Sequence, residues 1–265
     1  MRTPKPSPAD MIDLHSHILP GIDDGAQSIE EALAMAHVAS ADGITQIVST
    51  PHDVGWDGAW QNPPAGVEEL QEELERHAIQ LRVLPGLEVR IDLDTPARAR
   101  DGQVMTLNRS RYLLVELPFN HYPPYVEHVL FELQVAGFVP ILAHPERCSI
   151  LASNPATLCR LVERGVLVQV TAASIAGEFG SAVEAFTRLL LEHRLAHVIA
   201  SDAHSARLRP PTLSGAVHIA ADWIGEQEAI TMVTTVPRAI VEDRLWRAEP
   251  PVEPRAGRRW FRRRR

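Results

Sequence analysis

The sequence predicts an α/β fold built on parallel strands, closed as a barrel or wound as an open sheet, and three observations carry that expectation. Seven short runs rich in apolar and β-branched residues recur along the 265 residues. Helical patterns stand between most of them. Most of the runs are apolar at consecutive positions instead of alternating, as strands are when helices cover one face of a sheet and its other face is packed inside.

MIDLHSH at 11–17 is the first run, followed by the turn chemistry of GIDDG. The first helix is SIEEALAMAHVASADG, with Ser28 as N-cap, Glu31 supplying a capping box and Gly43 at its end. TQIVST at 45–50 is the second strand. After it comes DVGWDGAWQNPPAG at 53–66, a long loop rich in Gly, Pro and Trp, in the place where barrels carry active-site loops. LRVLPGLEV at 81–89 and YLLVEL at 112–117 are the third and fourth strands. The helix VEHVLFELQVAG, closing at Gly137, leads to VPILAH at 139–144, and VLVQVT at 166–171 and AHVIAS at 196–201 complete the seven. The length and the absence of an internal repeat make this one domain, residues 11–247. It lies between a proline-rich arm (1–10) and a Pro/Arg-rich basic tail (248–265), both of which read as disordered.

Composition narrows the function classes. With 45% hydrophobic and 23% charged residues the chain is an ordinary soluble globular protein. No apolar run is long enough to span a bilayer, and the opening MRTPKPSPAD lacks the apolar segment of a secretory signal, so a cytoplasmic protein is expected. Cys148 and Cys159 read as reduced structural thiols: neither starts a C-x5-R phosphate loop, because Asn154 and Gly165 stand where the arginine would be. The net charge of −8 includes seven arginines in the final RAGRRWFRRRR, so the rest of the chain carries −15. An acidic body suits small ligands or metals and not nucleic acid, while the tail could meet an acidic partner or an anionic membrane. Lys5 is the only lysine, which removes Schiff-base chemistry and a lysine-bearing P-loop.

Residues two apart on a strand share a face, so His15 and His17 can address one ion. On its own H-x-H is weak, since two core or surface histidines would look the same. The pattern of strand ends strengthens it. His52, Glu88, Glu116 and His144 close the second to fifth strands, Asp202 and His204 follow the seventh, and Asp24 sits in the turn after the first. Strand carboxyl ends are where α/β active sites assemble. Each has a bland reading: a capping or salt-bridged carboxylate for Glu88 and Glu116, a buried satisfied imidazole for His52 and His144, a helix N-cap for Asp202, plain turn chemistry for Asp23 and Asp24. The histidines His37, His77, His121, His128, His193, His197 and His218 have no strand-end placement and read as structural. Five imidazoles and four carboxylates exceed one ion's coordination, so two or three divalent ions are expected, with Zn, Mn or Fe suited to mixed N/O ligands and Mg less so. Such a pocket is neutral to positive and would draw an anion such as phosphate, with Arg147 and Arg209 placed to grip its oxygens. The carbamylated-lysine form of the amidohydrolase barrels is excluded by the missing lysine.

The blocks MIDLHSHILPGIDDG, STPH, LEV, VEL, AHPER and IASDAHS-x-x-x-RPP together resemble the polymerase and histidinol phosphatase (PHP) superfamily. Within it they resemble the bacterial protein-tyrosine phosphatases of capsular and exopolysaccharide synthesis (CpsB/CapC type), over about Asp10 to Trp246. The resemblance implies a distorted seven-stranded (β/α)7 barrel and a trinuclear centre. One ion would take His15, His17, Glu88 and Asp202, a second Asp24, His52 and His204, and a third Glu116 and His144 with Glu88 as a bridge. It implies manganese as the usual metal, phosphate held by Arg147 and Arg209, and a substrate in the tyrosine-rich tail of a membrane-associated polysaccharide kinase. The expected chemistry is in-line attack on phosphorus by hydroxide generated at the ions, with Asp202 or His204 assisting proton transfer and Trp56 and Trp60 flanking the aromatic ring. Two other readings stand beside it: a phosphatase of small esters such as histidinol phosphate, and a non-enzymatic binding partner of an assembly complex. The sequence sets no oligomeric state.

Overall fold

Among the described residues eight strands, all pairing in parallel, form the frame: β1 (Met11–Ser16), β2 (Ile44–Ser49), β3 (Arg82–Pro85), β4 (Glu88–Arg90), β5 (Tyr112–Glu116), β6 (Val139–Ala143), β7 (Leu167–Thr171) and β8 (Val198–Ala200). The computed structural model describes residues 10–53 and 63–254. Trp56 and Trp60, most of the N-terminal arm and the arginine-rich end of the tail lie outside the described residues. The helices in chain order are α1 (Ile29–Asp42), α2 (Pro63–Arg76), α3 (Thr95–Arg100), α4 (Val126–Val135), α5 (Ser149–Ser153), α6 (Pro155–Glu163), α7 (Ala172–Ile175), α8 (Ser181–Glu192), α9 (Ser214–Ile224), α10 (Glu226–Thr231) and α11 (Thr235–Val241).

Each sequence run becomes a strand, with one division. LRVLPGLEV breaks into β3 and β4, so the expected seven strands are eight. Pro85 offers no N–H to a ladder, and a Cβ on Gly86 would lie 2.9 Å from Val48 Cγ1 and 3.1 Å from Leu107 Cδ2, so the chain bends there with only a glycine's bulk. The expectation of one barrel is corrected with it. The described strands form two sheets, β1-β2-β3 and β4-β5-β6-β7-β8, and no closed barrel. Single bridges, Ser16 to Ala203 and His52 to Glu88, are what link strand ends of one sheet to segments of the other.

Both sheets nonetheless enclose one apolar cluster: Ile12, Leu14, Val48, Leu84, Leu114, Ile141, Leu167 and Val198 meet inside, and Val236 and Ile240 of α11 join them. A second, larger cluster packs the helices onto the outer faces. Strand periodicity then decides what reaches the rim. Leu114 faces inward, so Glu116 does too; Leu167 carries Gln169 inward, and Val198 and Ala200 point the way to Asp202. Helix α1 starts as the sequence predicts: the Ser28 hydroxyl accepts from Glu31 N–H, and Gly43 ends the helix at φ 96°. The reciprocal bond of the capping box shifts by one residue, since Glu31 Oε2 accepts from the Gln27 N–H.

Candidate metal centre

The end of β1 places His15 and His17 side by side, both fully buried, with their Nε2 atoms 3.3 Å apart. Each ring is held at its other nitrogen. His15 Nδ1 donates to Gln169 Oε1 at 3.0 Å, and His17 Nδ1 to Asp23 Oδ2 at 2.6 Å. An oxygen acceptor at Nδ1 fixes the tautomer that leaves Nε2 free for a cation. The GIDDG turn therefore has three separate tasks. Asp23 is buried and also accepts from the N–H groups of Gly25 and His52, while Asp24 is 59% exposed and reaches outward between His52 Nε2 (3.5 Å) and His204 Nε2 (3.4 Å). Gly25 lies so close to His17 that a Cβ would stand 2.0 Å from its carbonyl oxygen.

All nine residues singled out as ligands come together. Ligand atoms within 4.8 Å of one another form four overlapping groups: His17, Asp24, His52 and His204; His15, His17 and Asp202; His15, Glu88 and His144; and His52, Glu88 and Glu116. Glu88 Oε2 lies 3.4 Å from His15 Nε2, 3.6 Å from His17 Nε2 and 3.0 Å from His52 Nδ1, and Glu88 Oε1 is 2.8 Å from His144 Nε2. The arrangement differs from the grouping implied by resemblance. Glu116 and His144 do not share a group; each meets Glu88 separately. His17 in turn joins the Asp24, His52 and His204 set.

The donor set fits divalent cations. Glu88 Oε2 is buried and, although imidazole nitrogens crowd it from 3.0 Å outward, accepts no well-formed hydrogen bond, an arrangement that a cation would satisfy. The charges say the same. Burial opposes a proton on His17, yet hydrogen bonds to Asp202 and Asp23 outweigh it and raise its pKa to about 9; burial likewise opposes His52, and Asp24 and Glu88 raise it to about 11. Burial would raise Glu88 and Asp202, but His15 and the other imidazoles hold both well below the usual carboxylate range. Hydrogen bonds from His204 and His52 lower Asp24. Glu116 is raised, first by burial and then by Glu88. The imidazoles thus favour ionised Glu88, Asp202 and Asp24, while Glu116 holds a proton more readily than usual.

Arg147 and Arg209 converge on the same oxygen, Asp202 Oδ2, with Arg147 Nη1 donating at 3.1 Å and Arg209 Nη2 beside it. Asp202 itself has left-handed backbone (φ 52°), and its N–H donates to His15 O at 2.9 Å, which ties the segment after β8 to the end of β1. Just before it, Asp13 accepts from the backbone and hydroxyl of Ser201. His144, also left-handed at φ 32°, opens a short turn through Pro145–Arg147. Buried Glu146 anchors that turn by accepting from Thr171 N–H (2.9 Å) and the Ser174 hydroxyl (2.8 Å). Asp13, Asp23, Glu146 and Gln169 are the supporting residues that strand-end reasoning passed over. A signal existed for Gln169 and Asp13: each is a polar residue with an apolar neighbour on either side within a buried strand.

A parallel α/β frame that gathers imidazoles and carboxylates around a shared buried glutamate defines a candidate metal-binding protein. Comparison with known proteins gives the family. The sequence model described as "Capsular polysaccharide synthesis, CpsB/CapC" matches residues 11–242, and the chain belongs to that family. It is 37% identical over 245 residues to tyrosine-protein phosphatase YwqE of Bacillus subtilis, covering 91% of this chain and 95% of that one. Tyrosine-protein phosphatase CpsB of Streptococcus pneumoniae is 31% identical over 244 residues, 89% of this chain and all of the other. A solved chain from the crystal structures of YwqE and CpsB, described as unique metal-dependent tyrosine phosphatases, superposes with a TM-score of 0.87 at 36% identity, over 93% of this chain and 100% of that one.

Proposed function

We propose that this protein is a metal-dependent protein-tyrosine phosphatase of capsular or exopolysaccharide synthesis, acting in the cytoplasm on phosphotyrosine in the tail of a membrane-associated kinase. The observation that carries the reading is the buried Glu88, whose carboxylate is shared by two of the four ligand groups. In this reading His15, His17, Asp24, His52, Glu88, Glu116, His144, Asp202 and His204 hold two or three divalent ions, manganese first, with Fe, Zn or Mg as substitutes. Bound ions supply Lewis acidity to the phosphoryl group and a water of lowered pKa as nucleophile.

The chain's own side chains do the rest. Arg147 and Arg209, with 22% and 30% of their side-chain surface open, each have N–H donors beyond those at Asp202 and take the phosphoryl oxygens. His204 is kept from protonation by burial, and with Nδ1 donating to Asp202 O its Nε2 is left for an ion beside Asp24. Asp202, ionised, is the group that would take a proton from the attacking water and pass it to the leaving phenolate, with His204 beside it. The described helices include none long and apolar enough to cross a membrane, so contact with a membrane kinase would run through the surface or the basic tail.

Turnover of a phosphotyrosyl peptide, p-nitrophenyl phosphate and histidinol phosphate across a metal series tests this. The peptide should be preferred and manganese should support it. Arg147→Ala should lower kcat by about 10²-fold with the metal still bound. His52→Ala should lose activity through metal loss, with partial recovery at higher metal concentration; wild-type turnover in that variant would contradict the assignment.

A further inference from the structure

Arg147 has neighbours that the phosphate-binding role does not by itself require. Its Cζ lies over the Phe119 ring, 4.3 Å from the centroid, and over the Phe179 ring, 4.7 Å from that centroid. The two phenylalanines come from separate segments: Phe119 follows β5, and Phe179 lies in the connection from α7 to α8. Phe119 is tied to the arginine's own stretch of chain, because its carbonyl accepts from Ser149 N–H at 3.1 Å. Its ring also stands 5.5 Å from the His144 ring, so one aromatic residue touches both a candidate ligand and the arginine.

A guanidinium is planar and weakly hydrated, and it stacks on aromatic faces. Ring contacts use the face of the group and leave its in-plane N–H donors for oxygens. Asp202 takes one of those donors, and two rings restrict the plane in which the others point. Phe119 stays 37% exposed, one of few large apolar side chains of the described residues to do so. An open ring next to a phosphate-gripping arginine offers apolar surface where the organic part of a phosphomonoester would lie.

We propose that Phe119 and Phe179 are positioning residues that clamp Arg147 in the orientation that receives the phosphoryl group, and that the open face of Phe119 packs against the aryl ring of the substrate. The inference rests on the phosphatase reading and deepens it by assigning selectivity for aryl over alkyl phosphates. An aromatic pair of this kind is worth up to about a tenfold preference.

Calorimetric binding of orthophosphate, methylphosphonate and phenylphosphonate to the manganese-loaded protein separates the two roles. The wild type should bind phenylphosphonate about tenfold more tightly than methylphosphonate. Phe179→Leu should weaken orthophosphate by several-fold and leave that preference intact. Phe119→Leu should weaken orthophosphate and also abolish the preference, with KM for a phosphotyrosyl peptide rising in parallel. Phe119→Tyr, which keeps the ring face, should restore both. Unchanged orthophosphate affinity in both leucine variants overturns the clamp, and so does a Phe119→Tyr variant as weak as Phe119→Leu. An unaltered phenyl preference in Phe119→Leu overturns the selectivity. Absence of turnover in the wild type would count against the phosphatase reading instead, while the binding constants still decide the clamp.

Discussion

Gly25 shows how much one residue can fix. Its missing side chain lets the DDG turn close over the backbone of His17, and Asp23 then reaches His17 Nδ1. In Gly25→Ala the added methyl would meet His17 O and Cβ at 2.0 and 2.5 Å, backbone-borne atoms with no easy escape. Metal affinity and phosphatase activity should both fall at least tenfold, as when an outer partner of a metal-bound histidine is lost; metal titration of the variant is the check, and wild-type affinity would refute the close-approach argument. His197 gives a second prediction, away from the site. It is buried, its Nδ1 accepts from Val168 N–H, and burial lowers its pKa from 6.5 to about 4. The unfolded chain therefore binds the proton more readily, so this stabilisation is complete above pH 6.5 and is lost as the pH falls toward 4. At most that is about 3 kcal/mol. Asp13, raised to about 6 by burial, runs the opposite way across the same window, so the measurement is the difference in urea stability between wild type and His197→Asn from pH 7 to 4. Equal slopes would sink the assignment. The candidate ligands were legible in the sequence because strand ends advertise them. Asp23 as an orienting group, Glu146 and the two phenylalanines were not, since their role depends on which loops meet in space.

Among the elements, α1 and α9 illustrate a dependence that no local pattern reveals. Asp42, the last residue of α1, accepts from the N–H groups of Leu213 and Ser214 and from the Ser214 hydroxyl, and so caps α9 from 171 residues upstream. The sequence SGAVHIAADWI shows no strong N-cap of its own because the carboxylate comes from elsewhere. Asp42→Ala should cost about 1–2 kcal/mol in chemical unfolding while leaving metal affinity unchanged. A change below 0.3 kcal/mol would mean that water replaces the cap without loss, about the size of an ordinary surface effect. Strands and capped helices were readable because apolar runs and cap residues are local signals. The break of β3 from β4 was less so: P-G marks a turn, but only the contact of Gly86 with Val48 and Leu107 makes it interrupt the sheet. The division of the strands into two sheets joined by single bridges has no local signature at all, because it depends on pairings between residues as far apart as Ser16 and Ala203.

For the whole molecule the governing fact is that the fold brings four candidate ligand carboxylates and five imidazoles within reach of one another. The frame does so by pointing the inner faces of β5 and β8 and the end of β1 at one rim. Protons answer the charge in the ion-free protein. With pKa values near 9 and 11, His17 and His52 are protonated at pH 7, and each must shed its proton to present a lone pair. Metal binding at pH 7 is thus an exchange of protons for divalent ions, with about two protons released from these two residues. Affinity should rise with pH and keep rising through pH 9, since His52 still holds its proton there. The apparent binding enthalpy of manganese should differ between buffers of different ionisation enthalpy, with a slope of about two protons. An enthalpy that is the same in phosphate-free buffers of low and high ionisation enthalpy would mean that both histidines are already neutral. Their carboxylate partners would then not be the charges that the buried centre keeps ionised, and the case for a cation-demanding cluster would fall with them.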